Sequence, residues 1–168
     1  MFVTTQTPYV LLVEDNPQDV FLIKRAWQRT SLPQDIHVVS DGDEALSYLA
    51  ERCAAVDDEN NLPDLVVLDL RMPTVDGYEV LRRIREDSRT CRLPVVVFTS
   101  VREPDSISKT YVMGATVYFV KPIGETNFNK TFKEIERFWT AYKRTLRGPQ
   151  AGSDAGNTDG ENGTEEKR

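Results

Sequence analysis

Short apolar runs and helical patterns alternate five times along this chain, and four of the apolar runs end on chemically useful polar residues. Glu14 and Asp15 follow Tyr9-Val10-Leu11-Leu12-Val13. Asp69 closes Leu65-Val66-Val67-Leu68, Thr99 closes Val95-Val96-Val97-Phe98, and Lys121 closes Val117-Tyr118-Phe119-Val120. Residues 36–39 form the remaining run. The run over 64–68 has no polar–apolar alternation, which is expected of a strand covered on both faces. Five βα units joined by right-handed crossovers predict an α/β fold with a doubly wound, five-stranded parallel sheet. At 168 residues the chain suits one domain with a sizeable core.

The helical stretches carry their own punctuation. Asn16-Pro17 reads as an N-cap with proline at the first helical position, and Val20, Ile23, Ala26 and Trp27 recur at helical spacing. Asp41 with Glu44, and Asp76 with Glu79, form Asp-x-x-Glu caps for helices running to about Glu51 and Asp87. Residues 52–63 are polar and irregular, an expected exposed loop. Glu103-Pro104 starts a fourth helix, which Gly114 is placed to end as a left-handed C′ residue. The last helix carries Phe128, Phe132, Ile135, Trp139, Tyr142 and Leu146 on one stripe.

All strand C-termini of a parallel sheet lie on one edge, where ligands bind. That edge would collect three carboxylates, a hydroxyl and an ammonium. At about 5 Å and an effective dielectric of 20, each pair of carboxylates costs roughly 3 kcal/mol. A divalent cation would relieve the repulsion, and the lysine and threonine beside it would suit a phosphoryl group. Such a site could phosphorylate an aspartate.

The ordered set resembles the response-regulator receiver domain, the phosphoacceptor of two-component signalling. It comprises the acidic pair in Val13-Glu14-Asp15-Asn16, then Asp69-Leu70-Arg71-Met72-Pro73 with Asp76-Gly77, then Thr99-Ser100, and finally Tyr118 three residues before Lys121-Pro122. The Glu-Asp-Asn-Pro-Gln-Asp opening, the long segment before Asp69 and the Phe-Trp late in the last helix look like a subgroup. Its members are small stand-alone receivers that serve bacterial and cyanobacterial phytochrome-type histidine kinases. The resemblance implies the flavodoxin-like receiver fold with strand order 2-1-3-4-5.

The same resemblance implies roles. Asp69 would be the nucleophile and phosphorylation site, since a carboxylate can accept a phosphoryl group as an acyl phosphate. Asp15 and Asp69, with the backbone carbonyl of Arg71, would hold Mg²⁺ (or Mn²⁺), and Glu14 would act mostly through a water. Lys121 and Thr99 would bind the phosphoryl oxygens. Thr99 and Tyr118 would form the switch, and the Lys121-Pro122 bond would be cis. Arg71 and Val101 depart from better-known receivers, which often carry there an amide or acid that orients the hydrolytic water. Slow dephosphorylation is therefore expected of a phosphoacceptor that is not a conventional enzyme.

Composition narrows the partners. The net charge is −6, half of it in residues 148–168, and no basic stripe suits nucleic acid. Cys53 and Cys91 stand just after predicted helices in no metal-ligand spacing, as reduced thiols of a cytoplasmic protein would. No run approaches a membrane span. Residues 1–7 read as a tail and 8–147 as the receiver with an extended last helix. Residues 148–168 hold five of nine glycines and read as a disordered acidic tail.

A sensor histidine kinase, phytochrome-type by the subgroup, is the expected partner. So is a second copy, through the face of helix 4, strand 5 and helix 5. Strand 5 offers no charge or proline to protect an edge, and Tyr142 and Leu146 overhang the core. Two other functions compete. A phosphorylation-independent interaction module would have little reason to keep all five residues. An aspartyl-nucleophile phosphatase would need Asp-x-Asp, where Arg71 stands instead.

Overall fold

The computed structural model describes residues 7–55 and 61–146. Five strands, β1 (Tyr9–Val13), β2 (Asp35–Val39), β3 (Leu65–Leu68), β4 (Val95–Thr99) and β5 (Val117–Val120), alternate with five helices. These are α1 (Pro17–Trp27), α2 (Gly42–Ala54), α3 (Gly77–Glu86), α4 (Pro104–Val112) and α5 (Glu125–Leu146). The sheet order is β2-β1-β3-β4-β5, and every neighbouring pair is parallel. The sheet is doubly wound as the sequence predicts, and its strand order is the one the resemblance implies.

Successive side chains of a strand point to opposite faces, so the sheet divides the core in two. Leu11, Val13, Val66 and Leu68 face one way, onto Ala45 and Leu49 of α2 and Val80 and Ile84 of α3. Val10, Leu12, Val67 and Phe98 face the other, onto Ile23 and Trp27 of α1 and Phe128, Phe132 and Trp139 of α5. Central strands β1, β3 and β4 are buried throughout, while every residue of β5 is only half-buried.

The caps form where the sequence places them. Asn16 Oδ1 accepts the backbone N–H of Gln18 and Asp19, with Pro17 opening α1. Asp41 and Asp76 accept the N–H of Glu44 and Glu79. Gly114 has φ +99°, and its N–H donates to the Tyr111 carbonyl while Ala115 N–H reaches back to Thr110. That pair of bonds is a Schellman motif, which needs the left-handed residue.

Some boundaries differ from expectation. Helix α2 continues to Ala54 and so contains Cys53, because the Arg52 guanidinium packs over the Tyr48 ring one turn earlier, 4.8 Å from its centroid. The end of the expected exposed loop is tucked in: Pro63 is buried, and Tyr9 Oη donates to the Asn61 carbonyl at 2.9 Å. Of the α5 stripe, Phe128, Phe132, Ile135 and Trp139 are buried, whereas Tyr142 is half-buried and Leu146 is 67% exposed. Of the expected tails over 1–7 and 148–168, residues 1–6 and 148–168 lie outside the described residues.

Candidate functional site

The residues that follow the strands are placed by main-chain bonds that extend the sheet by one more rung. Glu14 N–H donates to the Val39 carbonyl at 3.0 Å, Asp69 N–H to Val13 at 3.1 Å and Lys121 N–H to Thr99 at 2.7 Å. Their side chains therefore emerge together at one edge. Oxygen atoms of Glu14, Asp15 and Asp69 all lie within 4.8 Å of one another, with Glu14 and Asp69 buried and Asp15 exposed. Three hard oxygen donors with one side open to water fit Mg²⁺ or Mn²⁺, which take carboxylates and keep several waters.

Lys121 sits against this group. Its Nζ lies 2.7 Å from Glu14 Oε2, 2.7 Å from Asp69 Oδ2 and 2.8 Å from Asp19 Oδ2. One ammonium thus contacts three carboxylates, with Asp15 a fourth acid beside them, so the acids outnumber the base. Burial and the Asp69 charge push the Glu14 carboxyl up to about 7, although Lys121 and the Asn16 N–H pull it down. Burial acting alone would lower the Lys121 ammonium, but its carboxylate bonds outweigh that and hold it above its usual value. The Glu14 shift thus reflects chiefly its burial, and the Lys121 shift the acids around it.

The Lys121–Pro122 bond is trans, as are all peptide bonds among the described residues. This departs from the cis bond that the resemblance implies. The trans form is favoured for X–Pro by about 0.5–1 kcal/mol, and Lys121 already reaches three carboxylates from that backbone.

The remaining site residues surround this core. Thr99 is fully buried, and its Oγ1 accepts the Val101 N–H at 3.4 Å. Tyr118 is half-buried, with its hydroxyl donating to the Val101 carbonyl at 2.7 Å. Burial, reinforced by Tyr78, Glu103 and Asp69, raises that phenol to about 12, so it remains a donor. Arg71 N–H donates to Asp69 Oδ1 at 3.2 Å, while its side chain points outward, 3.8 Å from Glu103. Val101 is buried and lines, with Arg71, Met72, Tyr78 and Glu103, a groove of about 630 Å³ beside the site. The edge strand is less bare than its sequence suggests, because Tyr111 Oη accepts the Tyr118 backbone N–H at 3.2 Å. His37 lies on the far strand β2, stacked on Tyr48 at 4.1 Å.

Two residues take part that the strand-end pattern does not include. Asp19 reaches Lys121 from the first turn of α1. Its signal was its place in Glu-Asp-Asn-Pro-Gln-Asp, since a helix starting at Pro17 keeps residue 19 near residue 15. Gly77 supports the site from behind: a Cβ there would collide with the Asp69 carbonyl oxygen and stand 2.7 Å from Leu70 Cα. Between them, Thr74 adopts φ +69°, a conformation costly for a β-branched residue.

Comparison with known proteins follows the same outline. Residues 10–133 match the family model described as response regulator receiver domain. The probable methanogenesis regulatory protein FilR2 of Methanothrix harundinacea is 36% identical over 136 residues, covering 81% of this chain and 86% of the relative. The phosphorylated cyanobacterial phytochrome response regulator RcpA superposes with a TM-score of 0.72 at 34% identity, covering 82% of this chain and 96% of that one. The Mn²⁺-bound form of response regulator Rcp1 does so with a TM-score of 0.68 at 30% identity, covering 79% and 94%. Rcp1 is a protein of Synechocystis sp..

Proposed function

This chain belongs to the response regulator receiver family, and from that premise we propose that it accepts a phosphoryl group from a sensor histidine kinase on Asp69. It would work as a stand-alone regulator that signals through its own surface. The observation that carries this reading is the Lys121 ammonium bonded to both Asp69 and Glu14 inside the carboxylate group. An Asp69 carboxylate oxygen attacks phosphorus, the bond from phosphorus to the donor's imidazole nitrogen breaks, and an acyl phosphate forms. The transition state is loose, so the protein contributes position and charge rather than covalent chemistry. Lys121 and Thr99 serve the phosphoryl oxygens. Glu14, Asp15, Asp69 and the Arg71 carbonyl would hold Mg²⁺ or Mn²⁺, which would supply positive charge to offset the phosphoryl group. Thr99 and Tyr118 form the switch: Val101 accepts from the Tyr118 hydroxyl and donates to Thr99, so a shift of Thr99 is felt by the ring.

Similarity to one protein described as a cyanobacterial phytochrome response regulator and to another described in red light signaling supports a phytochrome-type kinase, and we assign the chain a cytoplasmic setting. Among the described residues, no helix is long and apolar enough to cross a membrane. Release of phosphate should be slow. Val101 offers no side-chain group to hold an incoming water, and the outward Arg71 is a pure donor.

Intact mass after treatment with acetyl phosphate and Mg²⁺ tests this reading. One phosphate adduct is expected on the native chain and none on Asp69→Asn, and the adduct should persist for minutes after donor removal. No adduct on the native chain would favour a phosphorylation-independent interaction module.

The face of α4, β5 and α5 is our proposed homodimer surface. Val112 is 90% exposed there, Leu146 extends beyond the core, and β5 is an edge. Light scattering at micromolar protein, with and without beryllofluoride, should return a dimer in at least one state. A monomer in both would remove the idea.

A further inference from the structure

Lys121 offers three hydrogen-bond donors, and its ammonium is paired with three carboxylates, donating to Asp19 and Asp69. Two of these carboxylates, Glu14 and Asp69, belong to the group suited to a metal ion. Asp19 does not. It stands in the first turn of α1, where Pro17 opens the helix and Asn16 Oδ1 accepts the Asp19 N–H at 3.4 Å. Its side chain is 24% exposed against 9% for Lys121, so the pair is largely withdrawn from water. An acid in a first helical turn also interacts favourably with the helix dipole, but that alone requires no bond to a residue 102 positions away.

We propose that Asp19 is a positioning residue that anchors the Lys121 ammonium over Asp69 during phosphoryl transfer. This rests on the receiver reading above. A lysine head on four methylenes carries about 2 kcal/mol of rotamer entropy. With Asp69 bonded to phosphorus, and with Glu14 drawn towards a metal ion when one is bound, two of the three resting contacts would weaken. Asp19 remains, fixed by a capped helix and outside the metal group. It holds one donor of Lys121 and leaves the other two aimed at the reacting oxygens.

The test compares the native chain with Asp19→Ala and Asp19→Glu. Asp19→Ala is expected to take phosphate from acetyl phosphate ~10-fold more slowly, about 1.4 kcal/mol, with Mg²⁺ affinity within ~2-fold of native and Asp19→Glu recovering to within ~3-fold. A native rate in Asp19→Ala would overturn the proposal. So would a matching loss of Mg²⁺ affinity, or a glutamate variant no faster than the alanine one. A second measurement needs no phosphate and separates the two readings. The Lys121 ammonium signal in a nitrogen–proton correlation spectrum should be slow to exchange in the native chain and broadened away in Asp19→Ala. An unchanged signal overturns the anchor. If the native chain takes no phosphate at all, the receiver reading fails, and the transfer role fails with it.

Discussion

Replacing Lys121 by alanine should slow phosphorylation of Asp69 by ~100-fold or more, about 2.7 kcal/mol of barrier, and should also destabilise the resting protein. The kinetic part follows from charge. The ammonium is the one cationic group bonded to Asp69 and Glu14 among the described residues, and charge-assisted bonds of this kind are worth about 1.5–3 kcal/mol each. The stability part follows from burial. Removing one partner of a buried ion cluster leaves uncompensated charge, at a cost of about 3–5 kcal/mol. Glu14 and Asp69 are both buried, so they would bear that cost.

The loss should depend on pH in a definite sense. Glu14 already binds its proton more tightly in the folded chain than its ordinary value allows, up to about 7. Without Lys121 that tendency grows. Between the unfolded and folded values the folded state then holds more protons than the unfolded one, so stability falls as pH rises. Denaturant titrations should find the variant least impaired near pH ~5 and most impaired above ~7. Millimolar Mg²⁺ should restore part of the difference by replacing the missing positive charge. A variant as stable as the native chain at neutral pH without metal would contradict this account.

Gly77→Ala should cost about 3 kcal/mol, at the upper end for an overpacked site. The added methyl would meet the Asp69 carbonyl oxygen and Leu70 Cα, which are backbone atoms and cannot swing aside. Gly77 N–H donates to the Leu70 carbonyl at 3.0 Å, so the start of α3 is also tied to that segment. Relief requires α3 or the segment after β3 to move. Calorimetry should show a melting temperature lower by ~10 °C for a domain of this size. Phosphorylation should fall as well, because the displaced segment carries the nucleophile. An alanine variant that melts with the native chain would show that α3 can retreat without consequence.

The readable part of this protein was the part governed by local pattern. Apolar runs, capping residues and Gly114 specify elements over a few neighbouring positions, and the strand order then delivers Glu14, Asp15, Asp69, Thr99 and Lys121 to one edge. What escaped was decided through space. Asp19 meets Lys121 across 102 residues. Tyr111 covers a donor of β5 that composition leaves bare, and Gly77 is small because of a carbonyl eight positions earlier. The extra residues of α2 depend on Arg52 finding Tyr48 and Asn61. The trans Lys121–Pro122 bond goes against an expectation carried over from relatives rather than any signal in the residues themselves.

The amide rungs under Glu14, Asp69 and Lys121 have a consequence for how such a protein can change. Main-chain bonds are blind to the side chain they carry. The edge therefore behaves as a socket whose coordinates are set by the sheet and whose contents are separately replaceable. Chemistry and architecture can drift at different speeds: a lineage could lose or retune the nucleophile, metal donors or lysine while keeping every strand in register. The socket would outlast its present use.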